Sequence, residues 1–444
     1  MTIAQLHDIF LECGGKMTTD SRSISGGEIF FALKGENFDG NAYAEKALEC
    51  GAAYCVVDEG SEAAASGKKG IIAVTDTLKA IQALAYYHRE HTLHDGNRIP
   101  MLALTGTNGK TTTKELVKAV LSSKYRLTAT EGNFNNNLGV PLTLLRITRD
   151  TEFAVVEMGA SHPGDIRELV DIAHPDYGLV TNVGRAHLLG FGDFEGVKRT
   201  KGEMYDYILS VHGTCFVNTD SADLVEMAES RKGLATIPYG KDIQKAVLLP
   251  MDEDNPFVGM NVELDGRTFT VHTHLIGSYN ADNILTALAV GQHFGVKAED
   301  AVAAIEAYVP TNNRSQMQKT ERNCLIVDAY NANPSSMAAA LDNFARIGAA
   351  GKAVCLGDML ELGEESLAEH VKVLERVAAM DLQSVILVGA EFKAAANALD
   401  GFKPRCFDTS DQAAACLEAE PLTGCTVLVK GSRGTRMEKL IPFL

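Results

Sequence analysis

The chain has 444 residues, of which 45% are hydrophobic and 22% are charged. This composition is typical of globular proteins, and the length predicts about three domains rather than one core. The net charge of −17, from 41 basic and 58 acidic residues, argues against a protein that coats nucleic acid or an anionic membrane.

Cysteine usage and the first residues indicate the compartment. The nine cysteines contain no CxxC pair, which argues against a disulfide framework or a zinc site and indicates reduced thiols. The start, MTIAQLHDIFLECGG, has no basic and apolar leader pattern, and no run is long enough to span a membrane. We therefore expect a cytoplasmic protein without membrane insertion.

Residues 1–97 are predicted to form a small α/β domain. Short apolar strands (IFFAL, YCVVD and GIIAV) alternate with helical stretches such as NAYAEKALECGAA. The run TLKAIQALAYYHREHT is typical of a helix, and the polar segment HDGNRIP follows it. Such a segment indicates a domain boundary near residue 97.

Two further α/β domains are predicted after this boundary. In residues 98–311, buried strands are each followed by a turn and a helix (MLALTG, FAVVEMGA, YGLVTNVG), which predicts a parallel sheet with crossover helices. In residues 312–444, the strands CLIVDAY, AVCLGD, SVILVGA and TVLVKGS alternate with Ala-rich helices, as in dinucleotide-binding folds. The linker 309–313, with Pro310, is a candidate hinge.

The segment LALTGTNGKTTTKELV at 102–117 runs from an apolar strand through a Gly-rich turn into a helix. Gly106 and Gly109 let the backbone approach phosphate oxygens, Lys110 supplies charge, and the Thr111 hydroxyl suits Mg²⁺. The standard pattern needs glycine where Leu104 stands, so a chance Gly-Lys-Thr turn is the alternative. The predicted ATP-binding residues of this loop are Gly106, Thr107, Asn108, Gly109, Lys110, Thr111 and Thr112.

The shortened loop TGTNGKTT, in a chain with three predicted domains, resembles the Mur ligases and their folylpolyglutamate synthetase relatives. The resemblance covers essentially the whole length. It implies an α/β fold of three domains: a small N-terminal α/β domain, a central P-loop ATPase domain with a parallel sheet, and a C-terminal Rossmann-like domain. It also implies an ATP-dependent amide ligase that forms an acyl phosphate and uses Mg²⁺ at two sites.

Metal ligands are expected after the central strands. Glu157 closes the strand FAVVEMGA, and His187 follows the next strand. By composition alone, these could be an exposed strand-end glutamate and a structural or surface histidine, and Lys201 reads as a solvated helix lysine. The resemblance implies instead that Glu157, His187 and a carbamylated Lys201 join Thr111 as metal ligands, and that the catalytic residues are Lys110, Glu157, His187, Lys201 and Arg314.

Two asparagine groups are further candidates. Asn135, Asn136 and Asn137 lie in GNFNNNLGVPLTLL, which reads as a polar loop; the resemblance places this motif by the nucleotide and the activated substrate. Asn280 and Asn283 are one helical turn apart. Polar residues at a helix start are usually caps, whereas the resemblance implies contacts with the adenine end.

The C-terminal domain is expected to close the site. Arg314 matches a family motif that faces phosphate, and Asp328 matches one that faces nucleotide or metal. Without the resemblance, an ordinary linker arginine and a helix-capping aspartate at a strand end are equal alternatives. DAYNANPSSM and LGDMLELGEESLAEH are similar to the family member that adds D-alanyl-D-alanine, and no Asn-Pro-Arg-like or Asp-Pro-Asn-like string occurs in this domain. KGSRGTRMEK is a basic, flexible loop suited to a carboxylate. The predicted dipeptide contacts are Tyr330, Asn331, Asn333, Ser335, Ser432 and Arg433.

The N-terminal domain is expected to bind the sugar nucleotide. The segment 18–44 contains turn formers with Arg22 and Lys34, which suit a pyrophosphate, and it resembles the uridine-binding module of the later-acting ligases. Asn41 stands where a histidine is frequent in that module. The predicted contacts are Ser21, Arg22, Lys34, Gly35, Asp39, Gly40 and Asn41.

The resemblance therefore implies a ligase that adds D-alanyl-D-alanine to UDP-N-acetylmuramoyl-tripeptide. We expect a monomer that binds no nucleic acid. The alternatives are a folylpolyglutamate-type or other Mur-type ligase, a P-loop switch that hydrolyses ATP to move a partner, and a catalytically silent binding protein with the same fold.

Overall fold

The computed structural model describes residues 1–250, 256–311, 314–349 and 351–444. Two compact units are present. Unit 1 comprises residues 1–103, 125–159 and 165–177, and unit 2 comprises residues 104–124, 160–164 and 178–444. The boundaries predicted at 97/98 and 311/312 stay predictions, and part of the candidate hinge, residues 312 and 313, lies outside the described residues.

The N-terminal part of unit 1 is built on a four-stranded parallel sheet of order β1-β2-β5-β6. β3 with β4, and β7 with β8, form antiparallel hairpins. The strands are β1 (Met17–Thr18), β2 (Ile29–Phe31), β3 (Lys34–Gly35), β4 (Phe38–Asp39), β5 (Tyr54–Asp58), β6 (Ile71–Val74), β7 (Leu93–His94) and β8 (Asn97–Arg98). The helices are α1 (Ile3–Glu12), α2 (Ala44–Glu49), α3 (Glu62–Ala65) and α4 (Thr77–His91). The segment expected to be an irregular link thus contains the β7–β8 hairpin, which turns at Asp95 and Gly96 with positive φ.

The central elements are shared between the units. The strands are β9 (Met101–Thr105), β10 (Leu127–Ala129), β11 (Phe153–Glu157), β12 (Tyr177–Val180), β13 (Thr214–Asn218) and β14 (Ala235–Tyr239). The helices are α5 (Lys110–Ser122), α6 (Gly139–Leu144), α7 (Asp165–Ala173), α8 (Leu188–Phe191), α9 (Phe194–Ser210) and α10 (Ala222–Glu229). All residues of β9 and β11 are buried, as expected for parallel strands covered on both faces.

Within each of the two units, these strands lie in a defined order. In unit 1 the order is β10-β11-β9, and β10 runs parallel to β11. In unit 2 the end of β9 lies beside the end of β12, where the Thr181 N–H donates to the Thr105 carbonyl at 2.9 Å. β13 and the parallel strand β14 follow β12. The predicted parallel sheet with crossover helices is confirmed.

A three-stranded antiparallel sheet in unit 2 was not predicted. It comprises β15 (Val247–Leu248), β16 (Phe257–Leu264) and β17 (Arg267–Ile276), and α11 (Asn280–His293) and α12 (Ala298–Ala307) follow it. Its main hairpin turns at Asp265 and Gly266, both with positive φ. Asp-Gly between two apolar runs is a strong hairpin signal, so this sheet could have been found from the sequence.

The C-terminal sheet has the order β18-β19-β23-β20-β21-β22, in which the edge strand β18 alone, among the described strands of this sheet, is antiparallel to its neighbour. The strands are β18 (Gln316–Lys319), β19 (Cys324–Asp328), β20 (Lys352–Gly357), β21 (Ser384–Val388), β22 (Arg405–Phe407) and β23 (Thr426–Lys430). The helices are α13 (Pro334–Arg346), α14 (Ser366–Ala378), α15 (Ala390–Asn397) and α16 (Ser410–Ala419). Short 3₁₀ helices occupy Ser21–Ser23, Gly40–Tyr43, Gly363–Glu365, Arg433–Thr435 and Met437–Phe443.

Apolar side chains cover both faces of this C-terminal sheet. One cluster takes residues from α13, α14 and α15, and the other takes residues from α16 and the last 3₁₀ helix. This doubly wound arrangement confirms the predicted Rossmann-like fold. The count of four strands was too low, since the edge strands β18 and β22 were not predicted. No helix in the described ranges is long and apolar enough to cross a membrane.

Candidate nucleotide and ligation site

The phosphate loop lies between the end of β9 and the start of α5. Gly106 has φ 145° and Gly109, the residue before α5, has φ 75°. A Cβ on Gly106 would collide with the Thr181 hydroxyl, and one on Gly109 would lie 2.6 Å from Asn283 Oδ1. Both positions therefore need glycine, for backbone conformation and for space.

The loop is held in place by residues that follow β12. The backbone N–H of Thr107 donates to the Asn182 carbonyl (3.0 Å), and that of Asn108 donates to Asn182 Oδ1 (2.9 Å). In return, Asn182 Nδ2 and the Thr181 hydroxyl donate to the Asn108 carbonyl, at 3.0 and 2.7 Å. Sequence reasoning missed Asn182, although a polar residue directly after the apolar strand YGLVT was a usable signal.

The positive charge of Lys110 and the positive end of the α5 helix dipole both lie at this loop. Lys110 Nζ donates to the carbonyls of Gly106 (2.8 Å) and Thr107 (3.0 Å), so the ammonium group lies at the loop. Lys110 and Thr111 are the first two residues of α5, where unsatisfied backbone amides and the helix dipole favour an anion. The arrangement can bind the phosphates of a nucleotide.

Asn280 and Asn283 lie one turn apart on α11, as predicted, and both are buried. Asn283 Oδ1 accepts from the Thr113 hydroxyl (2.9 Å), and its Nδ2 donates to Asn280 Oδ1 (2.8 Å). Asn280 Nδ2 donates to the carbonyl of Ile276 (2.8 Å). Hydrogen bonds of this buried pair therefore hold the first turn of α5 in place. Contact of the two asparagines with an adenine stays a prediction.

Lys201 and His187 belong to one charged cluster in unit 2. Lys201, on α9, is only 2% exposed, so the solvated-lysine alternative is wrong. Its Nζ lies 5.5 Å from the centroid of the Phe191 ring. Burial lowers the pKa of His187, the neighbouring carboxylate of Glu361 raises it, and the charges of Lys110 and Lys201 lower it further. These side chains are thus close enough to act on one another.

Glu157 and the asparagine loop lie in unit 1. Glu157 is 1% exposed, so the alternative of an exposed strand end is wrong. Its Oε1 accepts from Asn135 Nδ2 (2.8 Å), and its N–H donates to the Thr130 hydroxyl (3.0 Å). Asn136 Oδ1 accepts from the first N–H of α6 (2.8 Å), and the carbonyl of Asn137 accepts from a side chain of α4 (2.9 Å). Only Asn135 is therefore directed to the carboxylate.

The predicted sugar-nucleotide residues fall into two groups in unit 1. Asn41 is buried and donates to Asp39 (2.7 Å) and Asp58 (3.0 Å), while Lys34 Nζ lies 3.7 and 3.9 Å from the same carboxylates. The hydrogen bonds from Asn41 are the main reason why the pKa of Asp39 is lowered. Asn41 therefore organises the residues around Lys34, which the sequence did not indicate.

The remaining residues of that segment lie in turns. Ser21 and Arg22 belong to the 3₁₀ helix Ser21–Ser23, where Arg22 hydrogen-bonds Asp20 and lowers its pKa to about 2. Gly35 is covered by the ring of Phe38 across the β3–β4 hairpin. Gly40 begins the 3₁₀ helix Gly40–Tyr43, where a Cβ would lie 2.5 Å from the carbonyl oxygen of residue 33.

Arg314, Tyr330 and Arg433 form a stack in unit 2. The guanidinium of Arg314 lies 3.8 Å and that of Arg433 lies 5.7 Å from the centroid of the Tyr330 ring. Arg314 Nε is buried and finds no hydrogen-bond acceptor among the described residues. No ion pair joins either arginine to a carboxylate within the described ranges, so the stack offers two positive groups to an anionic ligand.

Asp328 pairs with a residue that the sequence did not indicate. Lys430, at the end of β23, is 1% exposed and donates to the carboxylate of Asp328, at the end of the adjacent strand β19. Asp328 Oδ1 also accepts from the Ser315 N–H at 3.3 Å, and Lys430 lies 3.5 Å from the carbonyl of Asn331. Glu157 was predicted to be functional because it is a charged residue at the end of an apolar strand. Lys430 also ends an apolar strand, so the same signal could have indicated it.

The three remaining predicted dipeptide residues, Asn333, Ser335 and Ser432, also have hydrogen-bond partners. Asn333 Nδ2 donates to Asn108 Oδ1 of the phosphate loop (2.8 Å), and Ser335 Oγ accepts from the backbone N–H of Arg185 (3.1 Å). Ser432 is buried, accepts from a backbone N–H at residue 360 (3.0 Å) and donates to a carbonyl at residue 332 (3.2 Å). The start of α13 therefore faces the phosphate loop.

Comparisons with known proteins agree with this geometry. Three family models match the chain: Mur ligase family, catalytic domain (16–89), Mur ligase middle domain (104–291), and Mur ligase, glutamate ligase domain (313–433).

Named relatives span nearly the whole chain. UDP-N-acetylmuramoyl-tripeptide--D-alanyl-D-alanine ligase of Treponema pallidum is 34% identical and covers 96% of this chain and 92% of its own. MurF from Acinetobacter baumannii superposes with TM-score 0.83 at 30% identity, over 96% of this chain and 92% of its own. MurF ligase from Thermotoga maritima in complex with ADP gives TM-score 0.83 at 26% identity, over 96% of both chains.

Proposed function

Because the chain belongs to the Mur ligase family, we propose that it is an ATP-dependent ligase that joins D-alanyl-D-alanine to UDP-N-acetylmuramoyl-tripeptide. The observation that carries this proposal is the similarity, over 96% of the chain, to a relative named for that reaction. The products are UDP-N-acetylmuramoyl-pentapeptide, ADP and phosphate, so the enzyme acts in peptidoglycan precursor synthesis.

The first step makes an acyl phosphate. The terminal carboxylate oxygen of the tripeptide attacks the γ-phosphorus of ATP; an O–P bond forms and the bond to the ADP oxygen breaks. Lys110 at the loop and the amides at the start of α5 stabilise the charge that develops on the phosphate oxygens.

The second step forms the amide. The neutral amine of D-alanyl-D-alanine attacks the acyl carbon, a C–N bond forms, and the C–O bond to phosphate breaks. The amine proton leaves with the phosphate. Because acyl phosphates hydrolyse, water must be kept from the intermediate, and the contacts of Asn333 and Ser335 with the phosphate loop and residue 185 support a role of the C-terminal domain in that exclusion.

The Arg314–Tyr330–Arg433 stack supports anion recognition in the C-terminal domain. We assign Arg314 to the phosphate side and Arg433 to the carboxylate of the dipeptide, with Tyr330 holding the two guanidinium groups near each other. Arg433 begins the 3₁₀ helix Arg433–Thr435 after β23 and is exposed, so an incoming substrate can reach it. A charge-assisted hydrogen bond of this kind contributes about 1.5–3 kcal/mol.

The described residues partly fit the Mg²⁺ ions that the family implies. No group of three His, Cys, Asp or Glu side chains in the described ranges could hold a metal by itself. Mg²⁺ usually takes few protein ligands and binds substrate phosphates as well. In unit 2 the candidate ligands are Thr111, His187 and Lys201. As an ammonium, Lys201 would repel a cation, so the fit requires its carbamate. In unit 1 the candidate is Glu157. Bound Mg²⁺ would neutralise charge between phosphate and carboxylate.

We also propose that the protein is a cytoplasmic monomer. All nine cysteines are free thiols in the structure, which supports a reducing compartment. Gel filtration with light scattering tests the oligomeric state, and a mass near 47.6 kDa is expected.

The test is phosphate release from ATP by the purified protein with UDP-N-acetylmuramoyl-tripeptide, with and without D-alanyl-D-alanine, followed by mass spectrometry of the product. Release that requires both substrates and yields the pentapeptide is expected. Equal ATP turnover without the dipeptide would refute the ligase reaction and favour a P-loop switch. Binding of the sugar nucleotide without any turnover would favour a silent protein, and turnover with a folate substrate would favour a folylpolyglutamate-type ligase.

Two lysines of α5 supply a matched pair of variants. Lys110→Ala removes the ammonium at the loop and is expected to lower kcat by about 100-fold or more, since such groups act mainly on the transition state. Lys118→Ala removes an exposed lysine on the same helix, 3.9 Å from Glu115, and should leave turnover within twofold. Equal losses in both variants would mean that the helix, not the loop charge, was disturbed.

A further inference from the structure

We propose that Glu361 is a positioning residue that orients the imidazole of His187 for the ligation reaction; this inference rests on the proposed function. Glu361 lies in unit 2, in the segment between β20 and the 3₁₀ helix Gly363–Glu365. Its carboxylate is hydrogen-bonded to His187 Nδ1, and its carbonyl accepts from the N–H of Leu189 at 3.2 Å. The segment thus holds both the ring and the backbone around His187.

Both members of the pair have a left-handed backbone. The φ angle is 65° at Glu361 and 51° at His187, a region that residues other than glycine adopt at a cost. Such conformations persist where surrounding contacts fix them, and they are concentrated at functional sites. That two residues joined by a hydrogen bond share this conformation favours a defined arrangement over a chance surface contact.

The hydrogen bond determines which ring nitrogen of His187 is available. A carboxylate accepts, so Nδ1 carries the hydrogen, and in the neutral ring Nε2 then presents its lone pair. A carboxylate that fixes the tautomer and rotation of a histidine in this way typically makes the ring a better ligand or acceptor. Among the described residues, the structure pairs the Glu361 carboxylate with no charged side chain other than His187, so this carboxylate serves the histidine.

The same segment reaches the side of the dipeptide. The N–H of Leu360 donates to the hydroxyl of Ser432 (3.0 Å), one residue before Arg433. A second ion pair, Arg185 to Glu365 at 3.1 Å, lies at the other end of the segment. Both of its side chains are about half exposed, so it contributes little to holding the segment. Leu360 and Glu361 therefore link the segment assigned to the dipeptide carboxylate with the orientation of His187.

The experiment compares Glu361→Ala and Glu361→Gln with Glu365→Gln, which removes the charge of the neighbouring ion pair. In full-length protein labelled with ¹⁵N-histidine and free of metal, the His187 resonances are assigned from their loss in His187→Gln, and the ¹⁵N shifts report the tautomer. Wild type is expected to show the Nδ1–H form. Glu361→Ala should lose it, whereas Glu361→Gln, which keeps an acceptor oxygen, should retain it.

Kinetics supply the second readout. Glu361→Ala is expected to lower kcat about 10–100-fold, the usual effect of losing a partner that orients a ligand, with the Kd of ATP unchanged; Glu365→Gln should stay within threefold. Glu361→Gln keeps the protein testable if the alanine variant does not fold. An unchanged His187 tautomer in Glu361→Ala, or an equal kcat loss in Glu365→Gln, would overturn the proposal. Absence of ligase activity in wild type would refute the proposed function instead, while the tautomer measurement would still decide the role of Glu361.

Discussion

The buried ion pair between Asp328 and Lys430 predicts an asymmetric response to substitution. Lys430 is 1% exposed and Asp328 is 18% exposed. Asp328→Asn leaves a buried ammonium without its carboxylate, which typically costs about 3–5 kcal/mol, and the partial exposure of Asp328 places the value near the lower end. Lys430→Met keeps the volume and leaves a carboxylate that solvent and the Ser315 N–H still reach, so a cost of about 1 kcal/mol is expected.

Hydrogen exchange measures this difference locally in the full-length protein. The amides of β19 and β23, which pair at these two residues, are the reporters. Under conditions where exchange follows the opening equilibrium, a cost of about 3 kcal/mol lowers protection about 100-fold or more, since 1.36 kcal/mol is a factor of ten. Asp328→Asn should therefore lose about two decades of protection, and Lys430→Met less than one.

The double variant and a control decide the interpretation. Asp328→Asn combined with Lys430→Met removes the unpaired charge, so protection should recover relative to Asp328→Asn alone. Asp342→Asn breaks an exposed ion pair with Arg376 in the same domain and should cost less than about 1 kcal/mol. If Asp328→Asn is no worse than Lys430→Met, or if the second substitution gives no recovery, the reasoning from burial is refuted.

Three further outcomes are expected. Gly106→Ala should lower ATP affinity about tenfold or more, because its Cβ collides with Thr181, whereas Gly60→Ala, with open space around it, should not; isothermal titration checks both. Arg433→Ala should raise the KM for D-alanyl-D-alanine about 10–100-fold and leave the Kd of ATP unchanged; equal losses for both ligands would contradict the assignment. Burial lowers the pKa of His7 and His88 in the folded chain. As pH falls below about 6.5, the unfolded chain therefore binds protons before the folded chain does. The free energy of unfolding then decreases by up to about 1.4 kcal/mol per pH unit for each histidine. His7→Gln should reduce this acid sensitivity in thermal melts between pH 7.5 and 5.5, and an unchanged slope would count against it.

The conformation of the loop between β9 and α5 was predictable because its signals are local. Gly106, Gly109 and Lys110 lie within five consecutive residues, and the φ angles and hydrogen bonds that the motif requires are those of the structure. The predicted strands β9, β11 and β12 consist mostly of consecutive apolar residues, which is typical of buried parallel strands. Three of the six strands, β9, β11 and β12, were therefore predicted from the sequence alone, whereas β10, β13 and β14 were not.

Edge strands and long-range contacts were not predictable in the same way. β18 has the sequence QMQK and no apolar alternation, as suits a sheet edge that must not pair further. The burial of Lys201 depends on how α9 packs, so its sequence neighbours gave no sign of it. The hydrogen bond between Glu361 and His187 joins residues 174 positions apart. Only the folded chain brings such pairs together.

The negative net charge of the chain argues against binding to nucleic acid or an anionic membrane, whereas the local charge around single cations can favour an anionic ligand. The partners of individual lysines and arginines explain this difference. Lys198, for example, lies within 3.0 Å of the carboxylates of Asp223 and Glu226, which neutralise its charge. Arg314 and Arg433 instead share an aromatic ring, which attracts a cation without neutralising it. An acidic protein can therefore keep a site for anionic substrates where its cations are paired with rings and backbone carbonyls rather than with carboxylates.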